Sequence, residues 1–115
     1  MRLNLLKSKI HKARVTGASE DYVGSITLDR RLMDAAGIRA HEKVLVADIT
    51  NGNRFETYAI EGGEGVIEVN GAAAKLADTG DSVIVMAFGQ YSEEEAKAHK
   101  PMIVQVDEEN RVTSQ

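Results

Sequence analysis

Seven short runs rich in β-branched residues follow one another along this 115-residue chain: Ile10 to Thr16, Tyr22 to Leu28, Val44 to Ile49, Arg54 to Ile60, Val66 to Val69, Val83 to Phe88 and Met102 to Val106. That density of strands constrains the fold more than any other feature, because each strand needs partners and each open sheet edge invites aggregation. Only two short helical stretches interrupt them. Asp29 is placed to cap a segment closed by Gly37, and Ser92 with Glu95 forms a capping box ahead of Ala96 and Ala98. Neither is long enough to build its own layer, so the pattern predicts a mainly β protein whose strands close, or nearly close, into a small barrel. Asn51-Gly52 predicts a two-residue hairpin turn between the third and fourth runs. The polar stretch from Asp107 to Gln115 reads as a loose tail, with Val112 adding one strand contact.

The length suits a single domain, 1–115, since a second core would leave neither half enough apolar surface to offset chain entropy. With 43% hydrophobic and 28% charged residues, the composition is that of a globular chain and not of a disordered one. The longest apolar run, Val83 to Phe88, is too short to span a bilayer, and no signal-peptide pattern opens the sequence; the expectation is a cytoplasmic protein without a membrane partner. The absence of cysteine removes disulfides, thiolate nucleophiles and cysteine-ligated metals together. His11, His41 and His99 are scattered without ligand spacing, so no metal is expected. A net charge of −4 leaves no broad basic surface for nucleic acid, and Arg2, Lys7, Lys9, Lys12 and Arg14 read as a solvated strand face.

No Gly-rich phosphate loop, Ser-His-Asp order or Cys-His pair stands out. What does stand out is an ordered set: Lys-Ser-Lys-Ile-His at 7–11, Tyr-Val-Gly-Ser at 22–25, Asp-Ala-Ala-Gly at 34–37, Thr-Asn-Gly-Asn-Arg-Phe-Glu-Thr-Tyr-Ala-Ile at 50–60 and Val-Asn-Gly-Ala-Ala-Ala at 69–74. Gly-Ser alone is an ordinary turn. The combination resembles the pyruvoyl-dependent aspartate 1-decarboxylase family, and the resemblance runs from Leu5 to about Val106.

That resemblance implies a double-psi β-barrel, a homotetramer with active sites between neighbouring subunits, and self-cleavage between Gly24 and Ser25 into a β chain, 1–24, and an α chain, 25–115. It further implies that Ser25 becomes a covalent pyruvoyl cofactor, with no metal, that forms a Schiff base with L-aspartate and accepts the electrons released as CO2 leaves. The product, β-alanine, would feed pantothenate and coenzyme A synthesis. By the same resemblance Tyr58 donates the proton that completes the product, while Thr57 polarises the Gly24 carbonyl during cleavage and later contacts substrate. Lys9 and Arg54 are expected to hold the retained side-chain carboxylate, since clamping the departing one would stabilise the ground state. Asn70, Gly71, Ala72 and Ala73 are expected to contact substrate through a side-chain amide and close backbone N–H groups.

Three geometric expectations accompany these roles. Gly24 should occupy a φ/ψ region that other residues avoid. Thr57 and Tyr58 point to opposite faces of an ideal strand, so they serve one site only if the strand bends or lies at a subunit edge. His11 sits either behind Lys9 or on the surface. The chain departs from a pattern common in the family in its short 61–65 connection, and in Ala47, where some members carry tryptophan; both bear on the rim of the site and not on the cleavage motif. A helper protein for maturation is left open. The competing reading is a non-catalytic swapped-hairpin or double-psi barrel that binds protein or DNA, suggested by the Val44 to Ile60 hairpin and opposed by the acidic charge. A glutamate decarboxylase is a third reading, because one methylene changes pocket fit by only about 1–3 kcal/mol.

Overall fold

The computed structural model describes residues 1–21 and 24–114. Tyr22 and Val23, which begin the second expected strand and the Tyr-Val-Gly-Ser motif, lie outside the described residues, as does Gln115. The elements run β1 (Arg2–Arg14), β2 (Gly17–Ser19), β3 (Ser25–Asp29), α1 (Arg30–Ala36), β4 (Lys43–Asp48), β5 (Arg54–Gly62), β6 (Ile67–Asn70), a 3₁₀ turn (Gly71–Lys75), β7 (Ser82–Ser92), α2 (Glu93–Ala98), β8 (Met102–Val106) and β9 (Val112–Ser114). The protein is mainly β with a few short helices, as its runs of β-branched residues predict.

The strands join in the order β2-β6-β3-β5-β4-β7-β1-β8-β9. Three parallel pairs (β1 with β8, β2 with β6, β3 with β5) are interspersed among antiparallel ones, and chain neighbours are seldom sheet neighbours. Successive side chains of a strand point to opposite faces, and one face curls around a single core. Ile10, Ile26, Val46, Val69, Val85 and Val104 come to it from six different strands, and Leu32 and Met33 of α1 cover it. This one core is the arrangement a small β-barrel requires.

Helix boundaries follow their predicted chemistry. Asp29 Oδ1 accepts the Arg31 N–H at 2.7 Å, and Gly37 closes α1 at φ 67°. Ser92 and Glu95 form the expected capping box on α2. Burial would raise the Asp29 carboxyl, but hydrogen bonds from Arg31 and from the Gly65 N–H outweigh it and hold the group below the usual carboxylate range.

Three local expectations are corrected. The first strand begins at Arg2 and not at Ile10; it pairs with β7 from Arg2↔Ser92 to Arg14↔Ser82, with irregularities near Lys7 and at Lys12, whose φ is 62°. These shifts break the alternation on which strand recognition depends. The β4–β5 turn has five connecting residues, 49–53, and not two. Asp48 Oδ1 accepts the N–H groups of Thr50 at 2.8 Å and Asn51 at 3.3 Å, and Gly52 at φ 80° donates its N–H to the Asp48 carbonyl. The side chain of Asp48 therefore shapes the turn, with positive φ needed only at Gly52. Finally, the C-terminal stretch is anchored. Asn110 is 1% exposed, accepts the Arg14 N–H, and donates to the carbonyls of Arg14 and Gly65 at 2.9 and 3.0 Å.

Candidate active site

β3 lies between β6 and β5, and Ser25 is its first residue. Across one edge Ser25 pairs with Asn70. Across the other the parallel ladder begins at Ile26↔Ala59. Continuing that register one residue back along both strands sets Ser25 toward Tyr58. Ser25 is buried at 2% exposure while Gly24 is exposed, so the peptide bond between them joins an accessible residue to a sequestered hydroxyl.

Asn70 is also buried, and its side-chain amide donates to Ser25 Oγ and to Thr27 Oγ1, both at 3.0 Å. Positions 25 and 27 share a strand face, so one amide bridges both hydroxyls. Gly71 follows at φ 71° and is buried, and the 3₁₀ turn it opens exposes Ala72 and half-buries Ala73. The predicted loop thus reaches Ser25 through Asn70.

β5 pairs with β4 without a register shift from Lys43↔Tyr58 to Ala47↔Arg54. Arg54, Glu56 and Tyr58 therefore occupy one face; Phe55, Thr57 and Ala59 occupy the other, and Phe55 and Ala59 enter the core. Because Ile26 and Ala59 are paired core residues, Ser25 and Tyr58 lie on the same, opposite face. No bend brings Thr57 across. Thr57 instead lies on the core side.

The two expected cations lie on different strands, β1 and β5. Lys9 is half-buried on β1 between Met86 of β7 and Ile103 of β8. A row runs from Lys9 through Met86 and Leu45 to Glu56, which places β1 three strand steps from β5, a path of roughly 14 Å along the sheet. Ser25 lies one strand further on. Neither the Lys9 nor the Arg54 side chain has a hydrogen bond or ion pair among the described residues. His11 is half-buried, and burial first, then Lys9 and Lys12, makes its ring less basic than usual. Its Nδ1 is buried without a partner among the described residues.

A Cβ built on Gly24 would meet open space. What Gly24 offers is an exposed residue without a side chain directly ahead of Ser25. The small Ala47 lies beside Arg54, so no bulky ring flanks that guanidinium on β4. The short 61–65 connection lies by Asp29↔Gly62, at the opposite end of β3 from Ser25.

Sequence reasoning missed His41 and Thr27. The His41 ring stands 6.3 Å from that of Tyr58, its φ is 73°, and its N–H donates to the Ala59 carbonyl at 2.7 Å. Nothing in a lone surface histidine signals this. Thr27 was legible in principle, being two residues from Ser25 on one strand face.

Among the described residues no group of three or more His, Asp or Glu is placed to hold a metal ion, and no helix is long and apolar enough to cross a membrane. The residues around Ser25 do suit a carbonyl group made from it: a buried side chain at a strand start, a donor amide 3.0 Å away, and a small-residue turn alongside.

The aspartate decarboxylase family model matches residues 1–113. An aspartate 1-decarboxylase of Campylobacter jejuni is 55% identical over 114 residues, covering 98% of this chain and 90% of the relative. One from Clostridium kluyveri is 56% identical over 97% of this chain and 90% of its own, and one from Lactiplantibacillus plantarum 55% identical over 98% and 88%. A barrel with a buried strand-initial serine is thus matched along nearly its whole length by enzymes of one class. The chain belongs to the aspartate decarboxylase family.

Proposed function

We propose that this chain is a proenzyme that cuts itself between Gly24 and Ser25 and, once matured, converts L-aspartate to β-alanine and CO2 for pantothenate synthesis. The observation that carries the reading is the hydrogen-bonded pairing of a buried Ser25 with Asn70, in a chain matched by the family over residues 1–113.

Cleavage uses the chain's own groups. Ser25 Oγ attacks the Gly24 carbonyl carbon, and the C–N bond breaks as the acyl group passes to oxygen. Loss of the Ser25 α-proton expels the Gly24 carboxylate from the β-carbon, and water converts the resulting dehydroalanine to a ketone with release of ammonia. Asn70 holds the attacking oxygen from one side. Thr57, two residues ahead of Ala59 on the strand that pairs with β3, takes the role of polarising the Gly24 carbonyl.

The pyruvoyl group so formed supplies an electrophilic carbonyl for the substrate amine and a sink for the electrons left by CO2. Arg54 offers a bidentate grip for the retained carboxylate, with Lys9 as a second cation. Asn70 and the backbone of Gly71 to Ala73 orient the substrate, and Tyr58, on the Ser25 face, delivers the proton. The sheet path between Lys9 and Ser25 supports an assembly, a homotetramer in this reading, in which a neighbouring subunit completes each site.

Intact mass under denaturing conditions tests the reading. Wild type should give fragments 1–24 and 25–115, the latter with a pyruvoyl terminus and with β-alanine production from aspartate; Ser25→Ala should stay whole. A wild-type chain that remains uncut, even after incubation with host extract to supply a maturation partner, would overturn it in favour of a binding barrel.

A further inference from the structure

The β4–β5 turn and the end of the 3₁₀ turn meet at a single carbonyl. Asn51 Nδ2 and Asn53 Nδ2 both donate to the Leu76 oxygen, each at 3.0 Å. The Leu76 N–H in turn donates to the Ala73 carbonyl at 2.9 Å, so the same residue is tied on both sides. The amide orientations are determined, because Asn51 Oδ1 accepts the Asn53 N–H at 2.8 Å and leaves its NH2 group to face Leu76. The Asn53 carbonyl accepts the Asp48 N–H at 2.8 Å, which fixes the backbone just before Arg54.

A short chain of hydrogen bonds therefore links two groups that the proposed site uses at opposite ends of its substrate. Arg54 would hold the side-chain carboxylate; Ala73 belongs to the turn that would hold the amino-acid end. β5 and the 3₁₀ turn are not sheet neighbours, so this contact is a direct tie between them. Two amides on one acceptor are more than a surface turn needs, since either alone would satisfy that carbonyl.

We propose that Asn51 and Asn53 are positioning residues that brace Arg54 against the Gly71 to Ala73 turn, and so set the length of acidic amino acid the enzyme accepts. The inference rests on the aspartate-decarboxylating reading. Aspartate spans the braced distance, whereas glutamate, one methylene longer, must displace one end. A methylene in a rigid pocket commonly gives discrimination of about 10- to 200-fold, and a pocket with one wall released gives less.

The test compares kcat/KM for aspartate and glutamate in matured wild type, in Asn51→Ala, in Asn53→Ala and in the double variant. The ratio of the two values does not depend on how much of each preparation has matured. Loss of both amides should lower the aspartate preference about tenfold, or bring glutamate turnover from undetectable to measurable, with the single variants between. KM for aspartate should rise more than kcat falls. Parallel loss on both substrates at constant ratio would mean a merely structural tie and would overturn the proposal. If the double variant fails to mature, the single variants decide, and an unchanged ratio in both, or failure of both to mature, overturns it as well. Wild type that cuts no chain and turns over no aspartate marks instead the failure of the underlying function, which is read before any variant is made.

Discussion

Asp48 and Asp81 bury two carboxyl groups against each other beneath the β4–β5 turn, at 1% and 8% exposure. Asp48 Oδ1 is occupied by the turn's N–H groups, and Asp81 Oδ2 accepts the Asp78 N–H at 2.9 Å. Asp48 Oδ2 is buried and finds no donor while both groups are ionised. Burial first, then a proton shared with Asp81, pushes Asp48 up to about 6.

A carboxyl that binds its proton more tightly when folded than when unfolded favours folding most at low pH. The contribution is complete below the ordinary carboxylate range and is lost as pH rises through about 6. Asp48→Asn keeps the oxygen that shapes the turn and gives Asp81 a donor. Thermal unfolding in an uncut Ser25→Ala background should show this variant gaining about 4 °C or more over its parent at pH 7.5, with the difference shrinking toward pH 4. A difference independent of pH would refute the coupling.

Asn70 should govern maturation through Ser25 and not through Thr27, although it bonds both. Asn70→Ala is expected to slow the appearance of the two fragments by about tenfold or more, since the attacking oxygen loses its anchor. Thr27→Val should leave that time course near wild type. Equal slowing in the two variants would show that the bridge, and not the Ser25 bond, matters.

The two faces of β5 should divide the two reactions. Thr57→Val is expected to block or greatly delay cutting. Tyr58→Phe should yield both fragments while reducing β-alanine formation by about 10²- to 10⁴-fold, the usual worth of a positioned proton donor. Fragment masses and turnover measured on the same preparations distinguish them, and a Tyr58→Phe chain that never cuts would contradict the assignment.

Ser8 carries a fully buried hydroxyl with no partner among the described residues. Ser8→Ala removes that unmatched group at little cost in volume, so equilibrium unfolding should find the variant equal to its parent or more stable by up to about 1 kcal/mol. A loss beyond about 1 kcal/mol would mean that the hydroxyl is satisfied after all.

The fold was legible where local chemistry settled it. Runs of β-branched residues marked β4, β6 and the core of β7, and Asp29, Gly37, Ser92 and Glu95 marked the helix ends. The first eight residues of β1 lie ahead of the expected run because they hold no β-branched residue, and only their basic side chains read as a strand face. The turn was misjudged because its shape comes from a side chain, that of Asp48, and not from the Asn-Gly pair alone. At the candidate site Ser25, Tyr58 and Asn70 were found by resemblance; their adjacency rests on sheet pairing between segments 45 positions apart, which no local pattern encodes. The brace at Leu76 joins segments 23 and 25 positions apart and has no signature at all in either.

The long strand of the segment ahead of the proposed cut is not a peripheral one. β1 runs thirteen residues and lies between β7 and β8, contributing Ile10 and Ala13 to the core. Cutting after Gly24 would therefore turn an interior strand into a separate molecule held only by hydrogen bonds and packing. From then on, refolding is a bimolecular encounter, its success depends on protein concentration, and a denatured enzyme that loses its short chain cannot regain its structure alone. The matured protein would endure through slow unfolding, having given up in one irreversible step the connectivity with which it first folded.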